Sequence, residues 1–445
     1  MQYQRGCSQI KGSTMSLGGQ GVVFLLAVAL LATCAQKSEA RVTCQNGVKS
    51  MVYLSPKITQ HQGLVSDKYY YDIEFPKGHI AIKSFDAEVV DEAGNPVSLE
   101  ETYLHHWLAI RYYERIGSKD KKRNGHLGGF EQPDIIVSGN AGTCDQNLRE
   151  FFGFGAETRK TPTYIPDPYG LEVGNPLKVP SGYEEKWMFN IHAIDTRDTV
   201  DAKECAECRY HVLGLLRKKI KRGNITPPYI WIFIWLLLLK CRCDLYNVTK
   251  PSNPNYVGGV DCCVDGKRCK LKNGIEPVQR NVYLKYTVKW VDWSDSIVPV
   301  KAFIFDVTDT WQHTGIHDCH IEYDVEQSTT GIATKRSRVK LPISGDVVYG
   351  SAHQHMGGIG CALYKEDGQL ICSSKPIYGK GNGVGDEAGY VVGMTTCYPK
   401  PGSVKIAQGE TLTFESNYNS EERRFGVMGF FYMLVAESPV KLAKV

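Results

Sequence analysis

Gly350-Ser351-Ala352-His353-Gln354-His355-Met356-Gly357-Gly358 reads as the end of a β-strand and the turn that leaves it. Asp346-Val347-Val348-Tyr349, just before it, is β-branched and aromatic, and the Gly pair after it is turn chemistry. In an extended segment, residues two apart point to the same face, so His353 and His355 converge. Neutral imidazoles on one face suit copper or zinc. A solvated or core pair of histidines would look the same in isolation, so the reading depends on partners elsewhere in the chain.

The composition around this stretch favours an all-β protein. In 445 residues there are 25 tyrosines and 44 glycines, and Leu- or Ala-rich helical stretches are scarce. The length exceeds one ordinary core, so two or three domains are expected, and two β-rich units are read, one from residue 41 to about 200 and one from Arg280 onward. Candidate strands in the first are Lys49–Leu54, Lys68–Glu74, His79–Ser84 and Lys186–Ala193. In the second they are Val282–Trp293, Lys301–Val307, His320–Val325, Asp346–His355, Leu412–Tyr418 and a buried last strand from Arg424 to Met433. A formal charge of +4 is small for this length. Lys119-Asp120-Lys121-Lys122-Arg123 and Lys335-Arg336-Ser337-Arg338 lack interleaved aromatics and read as solvated loops, so no nucleic-acid partner is expected.

Residues 1–40 read as a secretory signal, with an apolar run from Gly21 to Thr33 and Ser38-Glu39-Ala40 as a cleavage site. The expected location is extracellular, with the cell wall as one candidate. That compartment permits disulfides. Of 15 cysteines, Cys7 and Cys34 leave with the signal, and an odd number remains. Residues 210–242 account for the oddness. They turn from basic to apolar at Ile230–Leu239, half of the roughly 20 residues a spanning helix needs. Cys-Arg stands at both ends, at Cys208-Arg209 and Cys241-Arg242. Removing one copy with the intervening stretch restores a smooth Glu-Cys-Arg-Cys-Asp and an even count. A retained intron or gene-model error is therefore expected; the rival is a real membrane-contacting insertion. Without it, no stable membrane span is expected. The disulfide candidates are Cys44, Cys144, Cys205, Cys208, Cys243, Cys262, Cys263, Cys269, Cys319, Cys361, Cys372 and Cys397. Several of these fall in a Cys-rich linker over 243–280, where zinc ligation by Cys243, Cys262, Cys263 and Cys269 is the weaker alternative. Asn247-Val248-Thr249 is an N-glycosylation acceptor.

Further histidines supply the partners. His105 and His106 are adjacent in Tyr103–Ile110, so both reach one ion only if the strand is bulged or ends there. His192 lies in the apolar Trp187–Asp195 segment, where a satisfied core histidine is the ordinary reading. His313, His317 and His320 cluster around Cys319 and fit turn and strand positions equally well. Gly379–Gly385 is glycine-rich but opens no helix, so a flexible loop is expected rather than a phosphate cradle.

Taken in order, Leu104-His105-His106, Asn190-Ile191-His192-Ala193-Ile194-Asp195, His353-Gln354-His355 and Met428 resemble the ligand sets of the type II, ascorbate-dependent copper monooxygenases. The layout also resembles the plant stress-up-regulated nodulin family. The first resemblance implies two facing antiparallel β-sandwich (jelly-roll-like) domains, 41–209 and 281–445, with one copper each. His105, His106 and His192 would hold the electron-storing ion, and His353, His355 and Met428 the oxygen-activating one. Two copper ions, ascorbate as reductant and hydroxylation of a small substrate of unknown identity follow from it. Tyr432 would sit on the substrate side, and Cys44 would bridge to Cys205 or Cys208. Ser351 stands where the peptide hydroxylases carry a carboxylate-binding arginine, so a glycine-extended peptide is not the expected substrate. The alternative on the same scaffold is a non-catalytic copper-binding or stress-associated extracellular protein.

Overall fold

The computed structural model describes residues 42–118, 134–138, 152–200, 202, 269, 271–311, 317–318 and 322–437. The signal segment, the 210–242 stretch, Asn247, His313, His320, Cys144, Cys205, Cys208, Cys243, Cys262, Cys263 and Cys319 lie outside them. Among the described residues the chain is nearly all β, with one short 3-10 turn at Ala156–Arg159. No described helix is long and apolar enough to cross a membrane.

One long sheet runs through the whole molecule. From one edge it takes Thr43–Gln45, Val48–Leu54, Gln279–Asp292, Ile80–Val90 and Tyr169–Val173. It continues through Val298–Asp306, Arg424–Glu437, Gly345–Gln354 and Lys405–Ile406. The halves join where Tyr169–Leu171 pairs in parallel with Val298–Val300. Two smaller sheets cover this wall. Val65–Tyr70, Tyr183–Asp195, Thr102–Arg115, Ile135–Val137 and Phe152–Phe154 form one; Ile332–Lys340, Thr411–Asn419, Gly358–Tyr364 and Leu370–Ser374 form the other. The arrangement is sandwich-type, but the sandwiches share a sheet. The strand Gln279–Asp292, expected in the second unit from residue 281, bonds instead to Val48–Leu54, Ile58–His61 and Ile80–Val90. Its apolar face completes the first core.

Arg424–Glu437 shows why the wall can be shared. Met428, Phe430, Tyr432 and Ala436 pack into the first core, whereas Val427, Phe431, Met433 and Val435 pack into the second. A strand buried on both faces reads as an unbroken apolar run rather than an alternation. The first core centres on Phe85, whose ring lies 5.1 Å from both Trp107 and Phe152 and 6.0 Å from Tyr286.

Lys335-Arg336-Ser337-Arg338, expected in a loop, lies inside the edge strand Ile332–Lys340. Ser337 and Val339 are buried there, and Arg336 and Arg338 face out to Glu415 (2.7 Å) and Glu366 (3.0 Å). The signal missed was period-2 burial of small and β-branched residues between the charges. Cys372 and Cys397 form a disulfide, Cα to Cα 5.9 Å. Cys44 and Cys269 are also disulfide-bonded. Cys361, counted among the candidates, is instead a free buried thiol. Its surroundings push its pKa up to about 12 through desolvation.

Candidate metal centre

The first three histidines meet because of one extra residue. In the pairing of Tyr183–Asp195 with Thr102–Arg115, His192 sits opposite His106, and Ala193 sits opposite Leu104. His105 is left over as a β-bulge. A bulge puts two residues against one and re-aims the side chains at that point. Adjacent histidines, which a flat strand would send to opposite faces, thereby enter one site. The ring centroids are 4.4 Å apart for His105 and His192, and 4.9 Å for His106 and His192. One nitrogen from each of the three lies within 4.8 Å of the others.

His353 and His355 arrive from the long sheet. Gly345–Gln354 pairs with Arg424–Glu437, setting His353 opposite Phe430 and Ser351 opposite Tyr432. The His353 ring stacks on Phe430 at 6.0 Å. Past the strand, Gly358 N–H donates to the His355 carbonyl, closing a turn in which Gly357 has φ +86°. That conformation favours glycine. Tyr418 ties the segment down: its hydroxyl accepts from His355 N–H (2.8 Å) and donates to the Met428 carbonyl (2.6 Å). The His353 and His355 centroids are 5.2 Å apart, and His355 lies 4.5 Å from His105. All five imidazoles therefore belong to one contiguous cluster. Met428 is 3% exposed, on the face that also carries Phe430 and Tyr432. Tyr432 packs its ring 5.4 Å from Phe154.

Hydrogen bonds assign two tautomers. Asn190 donates from Nδ2 to Asp67 Oδ1 (2.6 Å), so its Oδ1 faces His106 Nε2 (2.8 Å) and accepts. The His106 proton is thus on Nε2, and Nδ1 carries the lone pair. His353 Nδ1 donates to Glu157 Oε1 (2.5 Å), leaving Nε2 with no partner. Both ring nitrogens of His192 and of His355 also lack one. His105 and His192 are 0% exposed and His355 is 1%. Buried polar atoms are normally satisfied, and unpartnered imidazole nitrogens clustered in this way are what a metal ion satisfies. Burial drives the pKa of His105, His192 and His355 well below the usual value, with mutual repulsion adding to it. His106 falls to about 4, again mainly by burial, against the opposing Asn190 bond. Those four imidazoles are therefore held neutral at ordinary pH, the state that binds a metal.

Glu157 is the residue that sequence reading missed. It sits on the 3-10 turn and is 1% exposed. No motif marks it. The one available signal is Gly155 before it: a Cβ there would lie 2.4 Å from the His105 carbonyl oxygen and 3.1 Å from His353 Cε1. The two halves of the cluster close on that glycine. Asp195, the acidic residue trailing His192, turns away to Arg197 (2.7 Å). The Gly379–Gly385 loop folds onto the same 3-10 turn from outside, where Glu387 takes Gly385 N–H (2.9 Å) and Arg159 (3.1 Å).

Comparison with solved structures returns the infectious bursal disease virus VP2 subviral particle at 8% identity and TM-score 0.17, over 89% of this chain and 72% of that one. T=1 particles derived from the same virus align at 9% identity and TM-score 0.11, over 91% and 80%. Likeness at this level says nothing about the site. No curated protein matches the chain. The family model for stress up-regulated Nod 19 matches residues 46–230 and 237–438, so it spans every histidine of the cluster, and its break at 231–236 falls in the apolar run. The chain belongs to the stress up-regulated Nod 19 family.

Proposed function

We propose that this chain is a secreted copper protein that uses ascorbate and oxygen to hydroxylate a small substrate. One observation carries the reading: buried ring nitrogens of His192, His353 and His355 have no partner, in a cluster with His105 and His106. The donors are imidazoles, which serve copper in both oxidation states, and Met428 would add a soft thioether that favours Cu(I). Bound copper would supply one-electron and oxygen chemistry. The protein's own part is to hold imidazole protons at His106 Nε2 and His353 Nδ1, fix both rings and exclude bulk water. Elemental analysis of protein made in copper-replete medium tests this. About two coppers per chain are expected, falling to about one in His353→Ala. Near-zero copper after desalting defeats it.

A second reading has its own support. Ser351, where a substrate-holding arginine would stand, is 0% exposed, and no histidine of the cluster exceeds 9%. A closed centre without substrate grip fits a non-catalytic copper-binding protein. Oxygen uptake with ascorbate separates the two: turnover above that of free copper supports the enzyme, and tight binding without turnover supports the alternative.

A further inference from the structure

The resemblance to the copper monooxygenases implies two centres, one per sandwich. The structure brings the histidines together differently. His355 meets His105 edge to face, with centroids 4.5 Å apart and planes at 75°. Nearest-neighbour centroids then run His353 to His355, His355 to His105, and His105 to His192, at 5.2, 4.5 and 4.4 Å. Two of the five rings are anchored by different devices. Asp67 through Asn190 orients His106, and Glu157 orients His353.

We propose that the five histidines form one pocket holding two copper ions side by side as a coupled pair, with Glu157 as the carboxylate that positions His353. The proposal rests on the copper reading above and adds two things to it: the sharing of the pocket, and a role for a residue that carries no motif. Glu157 acts through His353. By holding the Nδ1 proton it turns the Nε2 lone pair inward and raises its basicity. Gly155 makes this approach feasible, since any side chain there would collide with the His105 backbone and the His353 ring.

Electron paramagnetic resonance on metal-free full-length protein titrated with Cu(II) alone tests the sharing. One equivalent should give one spin per copper. A second equivalent should reduce the spin count below the bound copper, with a half-field resonance from the interacting pair. Two bound coppers with two full spins and no half-field signal overturn the shared pocket and leave copper binding intact. No bound copper overturns both readings. For Glu157, the measured quantity is Cu(II) affinity at the second equivalent. Glu157→Ala should weaken it by about 10–100-fold, the usual effect of losing such a partner. Glu157→Gln retains an acceptor and should recover part of the loss. An unchanged affinity in Glu157→Ala, with the far-ultraviolet dichroism of the parent, removes Glu157 from the site.

Discussion

At the scale of the residue, the histidines are costly without metal and should show it. Four of them have native pKa values depressed by burial, His106 to about 4 and His105, His192 and His355 well below the ordinary value. In the unfolded chain each titrates near about 6.5. Above that pH all are neutral in both states and contribute no slope. Below it the unfolded chain binds protons that the native chain refuses, so stability falls with pH. For His106 alone the gap is on the order of 3 kcal/mol by pH 4, and the other three act in the same direction. Asp86 and Glu185, raised by desolvation, work the opposite way. The comparison is therefore between metal-free wild type and His192→Gln. The urea midpoint of wild type should drop steeply from pH 7 to pH 5, and the variant should drop less. Parallel pH curves would contradict the depressed values.

At the scale of the element, the meeting of His105, His106 and His192 depends on the bulge at His105. Deleting His105 would place Leu104 and His106 in regular register with Ala193 and His192, closing the ladder without flipping the flanking side chains. The variant should fold with a dichroism spectrum like that of the parent and bind one copper fewer. Failure to fold would show that the bulge also sets the twist of this sheet. The need for a bulge was legible in the sequence, because adjacent histidines cannot share a face of a flat strand. Its position was not, because register depends on the partner strand. The strand ends of Val48–Leu54, Gly345–Gln354 and Thr411–Asn419 were readable within a residue or two, since each has alternation and a flanking turn. Ile332–Lys340 was hidden by its charges. Glu157 was unreadable because its role comes from a contact 196 residues away in sequence.

At the scale of the whole molecule, the shared sheet ties the two cores to one fate. Chains of this length with two cores ordinarily unfold in separate steps. Here Arg424–Glu437 and Val298–Asp306 give one face to each core, so loss of either core strips the support from the wall of the other. Ile304 lies in the first core and Phe303 and Phe305 in the second, the same two-faced pattern on the neighbouring strand. Phe85 is the hub of the first core at 2% exposed, and Phe431 is fully buried in the second. Replacing either with Ala should remove about 3–5 kcal/mol by lost burial and cavity formation. If the wall couples the cores, calorimetry of disulfide-intact protein shows one transition. Phe85→Ala and Phe431→Ala then each move that whole transition to lower temperature. Two resolved peaks, with each substitution shifting only its own, would mean that the parallel junction at Tyr169–Leu171 and Val298–Val300 transmits nothing and that the sandwiches unfold independently.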